Sequence, residues 1–330
     1  MSKTTLTITE ARTLIIDTMV AVGLPARHAS LVADHLVDCE LRGYSFLGLP
    51  RLLSVVDRIR KTPEQPTPIT VVKETPVSAV IDGGDNIGYV VCNQATDIAI
   101  DKAATSGIGL VSVSKSWYNG AMSYYLERIA ETGFVGMIAS SGSQKVAPHG
   151  GTQARFSTNP IGFSFPSAEH PVVVDIGTSA VMMGDVQLKK RLGQELDPGL
   201  AFDTTGNPTV NPDDAIAGAF AAWGGHKGSA IAMTVQLFGM LAGQPSNPGF
   251  LKDCGTFIMA LDPDLVTAPG DDFNARVAEY ANSIRDTQSL GDPVRVPFDR
   301  SRAERMRRVA LDQIEVDTVI YNQLQAIAKK

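Results

Sequence analysis

A glycine-rich run followed by an apolar segment is the part of this sequence best suited to chemistry. Gly224-Gly225-His226-Lys227-Gly228 precedes residues 229–242, and residues 230–241 are mostly small or aliphatic and contain no proline, which predicts a buried helix. The glycines let the backbone approach a ligand, and a helix start offers unpaired N–H groups at the positive end of its dipole. Lys227 adds a fixed cation and His226 a ring with two nitrogens. The pattern predicts a seat, that is, a binding site, for an anion or phosphate. A simple glycine turn beside an exposed lysine would have the same sequence and is the alternative interpretation.

The other reactive side chains form no recognisable metal or disulfide site. Cys39, Cys92 and Cys254 lie far apart and none belongs to a CxxC pair, which argues against a disulfide framework and a zinc site. The sequence His149-Gly150-Gly151 resembles an esterase oxyanion loop, but no G-x-S-x-G nucleophile elbow accompanies it. The remaining histidines have no paired ligands and are interpreted as structural or solvated; they are His28, His35 and His170. We therefore predict no bound metal.

The composition excludes several classes of function. At 330 residues with 44% hydrophobic content, the chain can bury a large core and is expected to form two lobes. A formal charge of −6 and a pI near 5.4, without a basic stripe, argue against a nucleic-acid partner. No apolar run approaches the length of a membrane span, and the first residues lack the apolar region of a signal peptide. We expect a cytoplasmic protein with no membrane partner.

The first part of the chain is predicted to be helical. Thr9 is expected to cap a helix that stops at Gly23, Pro25 to open a second helix that ends at Gly43, and Pro50 to open a third. The polar, proline-rich residues 61–68 then form a linker. Together these features predict a small helical lobe over residues 1–68.

From Ile69 the pattern changes to strands that alternate with helices, which indicates an α/β layer. A turn, Asp82-Gly83-Gly84-Asp85, is predicted after the second strand. Gly107-Ile108-Gly109 lacks the third glycine of the dinucleotide fingerprint and precedes its strand, so a conventional Rossmann domain is not expected. Strands are predicted at 69–72, 77–81, 108–114, 134–139, 162–166, 172–176 and 257–261, and helices at 90–105 and 121–132.

The last part of the chain returns to helix. Residues 303–312 form a basic helix, and Asp317 is expected to cap the terminal one. Arg300 and Arg302 come just before the basic helix, in a loop that can aim them at a phosphate. An apolar stripe predicts a further helix and consists of Phe273, Val277, Tyr280, Ala281 and Ile284.

Five short segments, in this order, resemble one family. They are Glu40-Leu41-Arg42-Gly43 with Gly48 and Arg51, then 146–151, 158–163, 174–179 and 224–228. With them the chain resembles, over nearly its whole length, the malate/L-lactate dehydrogenases that are distinct from Rossmann-type lactate dehydrogenases. The resemblance implies an α/β, non-Rossmann NAD(P)-binding fold with a mostly antiparallel sheet over residues 69–302. It also implies a helical lobe from both chain ends (1–68 and 303–330), a homodimer and a small-molecule substrate.

The resemblance also implies roles for residues by their position. Arg51 and Thr158 fall where the family holds the substrate carboxylate, and an arginine fork suits a carboxylate because it donates two hydrogen bonds. Arg300 and Arg302 favour NADPH as the cofactor, with NADH possible. The implied cofactor contacts are Tyr118, Asn119, Gly120, Ala121, Met122, Asp175, Ile176, Gly177, His226 and Lys227.

The catalytic histidines of that family are missing from this chain. Where the family carries a Ser-His pair in R-G-H-x-S-H-G, this chain has Phe46 and Leu47, and Tyr118 replaces a second histidine. Asp185, in Gly184-Asp185-Val186, matches the third member of the relay, in a form that looks most like the piperideine-carboxylate reductases. A ketone needs a proton donor when it is reduced, whereas an iminium nitrogen is already protonated. We therefore expect an imine or iminium acid as substrate, with Asp185 stabilising the cation and Phe46 and Leu47 lining an apolar pocket.

Two alternatives stay open at this point. One is reduction of a 2-oxo acid or ketone with a tyrosine as the acid; Tyr44, Tyr118 and Tyr124 are candidates, and Lys145 could lower the pKa of a phenol. The other is a nucleotide-binding relative without catalytic activity, because both histidines are absent.

Overall fold

A computed structural model describes residues 2–62 and 64–329. The chain divides into two compact units, which we name the terminal unit (residues 1–65 and 288–330) and the central unit (residues 66–287); the sequence predicts limits at residues 68 and 302. The helices are α1 (Ile8–Ala21), α2 (Ala26–Leu41), α3 (Leu49–Lys61), α4 (Gly88–Ser106), α5 (Met122–Glu131), α6 (Met183–Leu192), α7 (Pro212–Ala217), α8 (His226–Leu241), α9 (Phe273–Arg285), α10 (Asp299–Leu311) and α11 (Thr318–Ala328). The strands are β1 (Lys3–Leu6), β2 (Thr70–Glu74), β3 (Ser78–Ile87), β4 (Ile108–Trp117), β5 (Val135–Ser141), β6 (Ile161–Phe165), β7 (Val172–Ile176), β8 (Ala201–Phe202), β9 (Pro208–Thr209), β10 (Ala219–Phe220), β11 (Cys254–Leu261) and β12 (Ile314–Asp317).

In the terminal unit, two segments from opposite ends of the chain pair as an antiparallel ribbon. β1 and β12 pair so that Lys3 faces Asp317 and Leu6 faces Ile314. Asp317 lies at the N-cap of α11, as predicted, but its side chain makes no capping hydrogen bond. Its carboxylate lies 3.2 Å from the Lys3 ammonium instead. The sequence pattern predicts neither strand, because four residues are too few to show a clear alternation.

Helix α1 begins two residues before the predicted cap. Thr7, rather than Thr9, is the N-cap residue, and it forms a capping box with Glu10. The Glu10 backbone N–H donates to the Thr7 hydroxyl at 3.1 Å, and the Thr7 backbone N–H donates to the Glu10 carboxylate at 2.8 Å. A threonine with a glutamate three residues later satisfies two otherwise unpaired N–H groups. The prediction of Thr9 is therefore wrong, and Thr9 lies inside the helix.

Helix α2 carries two buried ionisable side chains with shifted pKa values. The Glu40 carboxylate accepts a hydrogen bond from the Leu49 backbone N–H at 2.6 Å, and a Cβ atom at Gly48 would lie 2.2 Å from this carboxylate. Burial raises the pKa of Glu40 to about 7, against the lowering effects of the Leu49 N–H group and Arg308. Burial lowers the pKa of His35, on the same helix, to about 3.

These two shifts predict opposite dependences of stability on pH. Below pH 6.5 His35 becomes protonated in the unfolded chain, whereas in the folded protein it stays neutral down to about pH 3. The free energy of unfolding therefore falls by about 1.4 kcal/mol for each unit by which the pH decreases. Between pH 7 and 4.5 the folded Glu40 holds a proton that the unfolded one releases, so the free energy rises as pH falls, with a similar slope. From these two groups we expect a flat profile between about pH 6.5 and 4.5 and a decline below it, measurable by urea unfolding.

Single variants separate the two contributions. Glu40→Gln removes the compensation, so the free energy of unfolding should decline already below about pH 6.5. His35→Gln removes the opposing group, so stability should rise as the pH falls from about 7 to 4.5. Unchanged pH profiles in both variants would show that these groups do not control acid stability.

The central unit is built on a seven-stranded sheet with the order β2-β3-β4-β11-β5-β6-β7. Only β3 and β4 run parallel, and α4 connects them; every other neighbouring pair in this sheet is antiparallel. β4 and β5 do not pair with each other, because β11 lies between them. The predicted α/β class with a mostly antiparallel sheet is confirmed.

Strand β3 continues through the turn predicted at residues 82–85. Its register with β4 shifts between Asp82 and Asn86, and Gly84 and Asp85 have φ values of +60° and +59°. Asp82 forms an ion pair of 2.5 Å with Lys115 on β4. The glycine pair therefore makes a bulge that bends the strand and does not end it.

A second, smaller layer of the central unit carries the helix with Asp185. Its three short strands have the order β10-β8-β9, and α6 contacts α7 beside them. These elements share a hydrophobic cluster, whose buried members are Val146, Val181, Val186, Leu196, Ala201, Ala215 and Phe220.

The sequence predicts that α8 is buried, but one side of the helix is exposed. The side of α8 with Ala232, Val235, Gln236 and Gly239 is buried, whereas a stripe of large apolar side chains is exposed, with Leu237 at 55% and Leu241 at 69% of full accessibility. We name this stripe the α8 apolar face; it consists of Met233, Leu237, Met240 and Leu241. The stripe predicted on α9 is also partly wrong, since Tyr280 is 70% exposed and the buried residues are Ala278 and Ala281.

Candidate active site

The start of α8 has the geometry of an anion seat. Gly225 is its N-cap residue and no side chain caps the helix, so the first N–H groups remain available to a ligand. Gly224 and Gly225 have φ values of +64° and +60°, which glycine adopts without strain. His226 and Lys227 in the first turn are exposed. This part of the central unit can therefore bind a negatively charged group through backbone N–H groups and the Lys227 ammonium.

Gly228 allows the start of α8 to pack closely against the preceding loop. A Cβ atom at this position would lie 1.6 Å from the Trp223 carbonyl oxygen, so any side chain would force the backbone apart. The Trp223 backbone N–H in turn donates to the Thr178 carbonyl at 2.9 Å. The start of α8 is thereby fixed to the loop that follows β7.

His149 lies beside the seat, a position that the sequence does not reveal. Its ring centre is 6.1 Å from that of His226, and its backbone N–H donates to the Ser229 hydroxyl at 3.1 Å. In the sequence, His149 belongs to one of the five family-like segments and to an esterase-like tripeptide, and neither indicates a contact with His226. His149 and Ser229 lie 80 residues apart in the sequence. The short glycine motif therefore gives no information about the contact between them.

The predicted cofactor segments of the central unit are joined by hydrogen bonds. Asp175, on β7, accepts a hydrogen bond at 2.9 Å from the Ser123 backbone N–H, at the start of α5. Thr178 donates its backbone N–H and its hydroxyl to the Thr158 carbonyl, at 3.0 and 3.1 Å. Residues 118–122, 175–177 and the segment of Thr158 therefore form one framework, although their contacts with a cofactor stay a prediction.

Two members of that set have clear structural roles. The Asn119 side chain is buried and donates to the hydroxyls of Ser140 and Thr256 at 2.8 and 2.5 Å, so it holds its own loop in place. Gly177 allows the close approach of Met182, whose sulfur would lie 2.8 Å from a Cβ atom at this position. Tyr118 and Gly120 have φ values of +51° and +79°, and Ala121, Met122 and Ile176 flank these turns.

A buried polar network that the sequence does not predict fixes α8 to the loop of Thr158. The Asn159 side-chain amide donates to the Ala232 carbonyl at 2.7 Å and to the Gln236 side-chain oxygen at 3.2 Å. The Ser141 hydroxyl donates to the same oxygen at 2.8 Å, and the Gln236 amide donates to Gln244 at 3.1 Å. Polar residues inside an apolar helix are the signal that could have identified this network.

Asp185 lies in the first turn of α6 and is half-buried. Burial raises its pKa, Asp197 raises it further by repulsion, and Lys189 opposes both effects. Lys189 lies 3.9 Å from Asp197, which is exposed. The carboxylate of Asp185 is therefore poorly solvated, and a cationic ligand would stabilise its charged form.

Lys145 has mainly structural contacts. Its ammonium donates to the Ile216 carbonyl at 2.7 Å and lies 5.3 Å from the centre of the Phe250 ring. Burial lowers its pKa. Its predicted effect on a tyrosine acid stays a prediction, and so does the catalytic role of Tyr118, whose hydroxyl is buried.

The other predicted residues belong to the terminal unit. Arg51 lies on α3 and is 7% exposed, so it is not a solvated surface arginine. Tyr44, Phe46 and Leu47 lie between α2 and α3 and are half-buried, and the Leu47 backbone N–H donates to the Tyr44 carbonyl at 2.8 Å.

The arginine pair predicted for a phosphate lies in the first turn of α10, which begins at Asp299, and not in a loop as predicted. The two side chains have different environments. Arg302 forms an ion pair of 3.2 Å with Asp299, whereas Arg300 is exposed and lines a cleft.

Two kinds of site are not found in the described part of the chain. No group of three or more His, Cys, Asp or Glu side chains within residues 2–62 and 64–329 is placed to hold a metal ion. None of the helices in those ranges combines the length and apolar character that a bilayer crossing requires.

Comparison with known proteins identifies relatives along nearly the whole chain. The sequence model described as malate/L-lactate dehydrogenase matches residues 6–325. The L-sulfolactate dehydrogenase of Methanothermobacter thermautotrophicus is 32% identical over 327 residues, covering 96% of this chain and 94% of the relative. The Δ1-pyrroline-2-carboxylate reductase 1 of Burkholderia ambifaria is 27% identical over 336 residues, covering 98% and 97%. A dehydrogenase structure from Sinorhizobium meliloti superposes with a TM-score of 0.90 at 29% identity, covering 99% of this chain and 98% of the other.

Proposed function

From the premise that the chain belongs to the malate/L-lactate dehydrogenase family of NAD(P)-dependent oxidoreductases, we propose that it reduces the C=N bond of an imine or iminium acid. The observation that carries this choice is the half-buried carboxylate of Asp185, whose pKa burial raises. The replacement of the family's Ser-His pair by Phe46 and Leu47 in the sequence supports it. Reductases of a cyclic imino acid occur among the relatives, as do dehydrogenases of hydroxy acids.

The start of α8 fits a dinucleotide. Its uncapped N–H groups, the two glycines with positive φ and the Lys227 ammonium suit a pyrophosphate. The reduced nicotinamide of such a cofactor supplies a hydride. We assign the NAD(P)-binding role to the central unit, through residues 118–122, 175–177, His226 and Lys227, with NADPH preferred.

The substrate is held through its two charged groups. Arg51 and Thr158 bind the carboxylate, and Asp185 stabilises the protonated nitrogen by its negative charge. An iminium carbon that accepts hydride leaves a neutral amine nitrogen, so this reaction needs no acid in place of the missing histidines. Phe46 and Leu47, in place of the family's polar pair, line an apolar pocket for the substrate in this proposal.

The second candidate is reduction of a 2-oxo acid with Tyr44 or Tyr118 as the proton donor. It is favoured by the L-sulfolactate dehydrogenase relative, which has the higher identity of the two described above. A ketone reduced by hydride becomes an alkoxide and requires a positioned acid. The half-buried position of Tyr44 and the buried hydroxyl of Tyr118 are compatible with that role.

A substrate panel distinguishes the two candidates. Purified protein is assayed with cyclic imino acids, N-alkyl imino acids and 2-oxo acids, each with NADPH and NADH. We expect turnover of imines and little turnover of oxo acids. Tyr44→Phe and Tyr118→Phe should each change imine turnover less than about tenfold, whereas loss of a true proton donor lowers turnover about 100-fold or more. Preferential turnover of oxo acids, with a large loss in one Phe variant, would establish the second candidate.

We further propose that the protein is a homodimer in which a second copy covers the α8 apolar face. Leu237→Asp, at a position 55% exposed, places a charge in the centre of this face and should shift the mass in light scattering from dimer to monomer, because an unpaired charge is costly to bury. Val266→Asp, at an exposed apolar position outside the face, should leave the mass unchanged. A dimer that persists in Leu237→Asp would exclude this face.

We also propose a cytoplasmic location, which the three cysteines without a disulfide support. Recovery of the activity in the membrane or secreted fraction of cells would contradict it.

A further inference from the structure

The first turn of α3 is held by a carboxylate from the preceding helix. The Leu49 backbone N–H, which opens α3, donates to the Glu40 carboxylate at 2.6 Å. Gly48, at the N-cap, has no side chain that could cap the helix, and Pro50, the second residue of the helix, has no backbone N–H. The Arg51 backbone N–H donates to the Gly48 carbonyl at 2.9 Å. The backbone N–H groups of this turn are therefore satisfied, and Glu40 ties the turn to α2.

Both the backbone and the side chain of Glu40 are fixed. The residue is 2% exposed, and its carbonyl accepts hydrogen bonds from the Arg308 guanidinium at 2.7 Å and from the Gly43 backbone N–H at 3.0 Å. Its carboxylate lies against Gly48, where a Cβ atom would come within 2.2 Å of a carboxylate oxygen. A side chain at residue 48 would therefore push the carboxylate away from Leu49.

The contact between Glu40 and α3 depends on the negative charge of the carboxylate. A charged acceptor makes a stronger hydrogen bond than a neutral one, and negative charge at a helix start interacts favourably with the helix dipole. Burial raises the pKa of Glu40 to about 7, so the charge is lost as the pH falls through neutrality. From other elements, Arg308 on α10 and Lys3 on β1 favour the charged carboxylate, whereas Asp317 on β12 opposes it.

The histidines of α2 do not titrate together with Glu40. Burial lowers the pKa of His35 to about 3, so its ring is neutral near neutral pH. Burial also lowers the pKa of His28, which lies about 18 Å from Glu40 along the helix axis. Asp38 lies 2.6 Å from the Arg42 guanidinium. Glu40 is therefore the group of α2 whose charge changes beside α3 near neutral pH.

We propose that Glu40 is a positioning residue for Arg51, because its carboxylate holds the first turn of α3 in the arrangement in which the Arg51 guanidinium binds a substrate carboxylate. The inference rests on the proposed function, which assigns the substrate carboxylate to Arg51. Arg51 is the third residue of α3 and lies in the turn that Glu40 anchors, so a change at the anchor acts on it directly. Protonation of Glu40 weakens the anchor, and the affinity for a carboxylate falls with it.

Calorimetric titration of the full chain, saturated with NADPH, with cyclopentanecarboxylate tests this role. The probe keeps the carboxylate of a cyclic imino acid and lacks the nitrogen, so no imine titrates in the assay. An ordinary carboxylic acid, with a pKa of about 4 to 5, stays ionised at both pH values that are compared, about 8 and about 6. We expect the Kd of the parent protein to be about fivefold higher at the lower pH, in line with the effect of one charge at a helix start.

Two variants remove the anchor in different ways. Glu40→Gln keeps the shape of the side chain and removes its charge, whereas Gly48→Ala leaves Glu40 in place and displaces its carboxylate. Each should raise the Kd at the higher pH by about fivefold and make it equal at both pH values. His35→Gln is the matched control, since it changes a buried ionisable residue of the same helix, and it should keep the Kd and the pH dependence of the parent.

Hydrogen–deuterium exchange of the parent protein checks the anchor without any substitution. After correction for the intrinsic rate, protection of residues 49–53 should be about threefold or more lower at the lower pH. Equal protection at both pH values would overturn the proposal. So would a Kd with the same pH dependence in the parent protein, Glu40→Gln and Gly48→Ala.

Arg51→Ala separates failure of this inference from failure of the proposed function. We expect this variant to weaken the probe by about tenfold or more, as loss of a charged hydrogen-bonding partner does. If it does so while Glu40→Gln and Gly48→Ala bind like the parent protein, Glu40 does not position Arg51 and the proposed function stands. If Arg51→Ala binds like the parent protein, or if the parent protein does not bind the probe, both the carboxylate site and the inference are overturned.

Discussion

Gly228→Ala should strongly weaken binding of the dinucleotide and destabilise the protein. The new methyl group would lie 1.6 Å from the Trp223 carbonyl oxygen, and a backbone atom cannot move aside as a flexible side chain can. Trp223 is itself held by its hydrogen bond to Thr178, so the strain must displace the start of α8. We expect the affinity for NADPH to fall by about 100-fold or more and the free energy of unfolding by about 3 kcal/mol.

The matched control is Gly249→Ala. A Cβ atom there meets its nearest neighbour, on Lys252, at 3.5 Å, which is an ordinary contact distance. NADPH affinity, followed by nucleotide fluorescence, should stay within twofold of the parent value. If Gly228→Ala bound NADPH as well as this control does, the start of α8 would not be the seat.

Asp185→Asn should lower kcat/KM for an imine substrate by about 100- to 1,000-fold, the range expected for a preorganised group that stabilises charge at the reacting centre. The substitution keeps the shape of the side chain and removes only its charge. Because burial and Asp197 raise the pKa of Asp185, the parent enzyme should lose activity as the pH falls through that raised pKa and the carboxylate becomes protonated. The variant should lack this acidic limb, which a purely structural role for Asp185 would preserve.

Asp197→Asn is the control for a change of charge near the site. Asp197 is exposed and raises the pKa of Asp185 by repulsion, so its neutralisation should move the acidic limb to lower pH while kcat/KM at neutral pH changes less than about twofold. A pH profile that is identical in the parent and both variants would remove Asp185 from the reaction.

Local signals in the sequence identify most helices and strands, but they do not predict the order of the strands in the sheet. β7 has its predicted limits of residues 172 and 176, because an apolar run between a proline and a glycine is unambiguous. The pairing of β1 with β12 and the place of β11 between β4 and β5 depend on contacts between distant parts of the chain. The prediction that α8 is wholly buried is wrong, because its sequence is apolar on all sides, whereas only the side with Ala232, Val235, Gln236 and Gly239 is buried.

The candidate site was predictable where backbone geometry requires a residue type. Gly225 and Gly228 have such a requirement, because one has a positive φ and the other lies against a carbonyl. Asn159 also has a positive φ, of +35°. That geometry does not reveal its partners Ala232 and Gln236, which lie more than 70 residues along the chain. The approach of His149 to His226 is likewise set by tertiary packing and not by any local pattern.

Because β11 lies between β4 and β5, the seven-stranded sheet can be completed only late in the synthesis of the chain. β5 ends at Ser141, but the strand that joins it to β4 begins only at Cys254. Until residue 261 has left the ribosome, a nascent chain carries two strand edges around a vacant place, and exposed edges of this kind attract other strands. Chaperones that shield such edges would therefore matter most for this protein while residues 142–261 are still emerging.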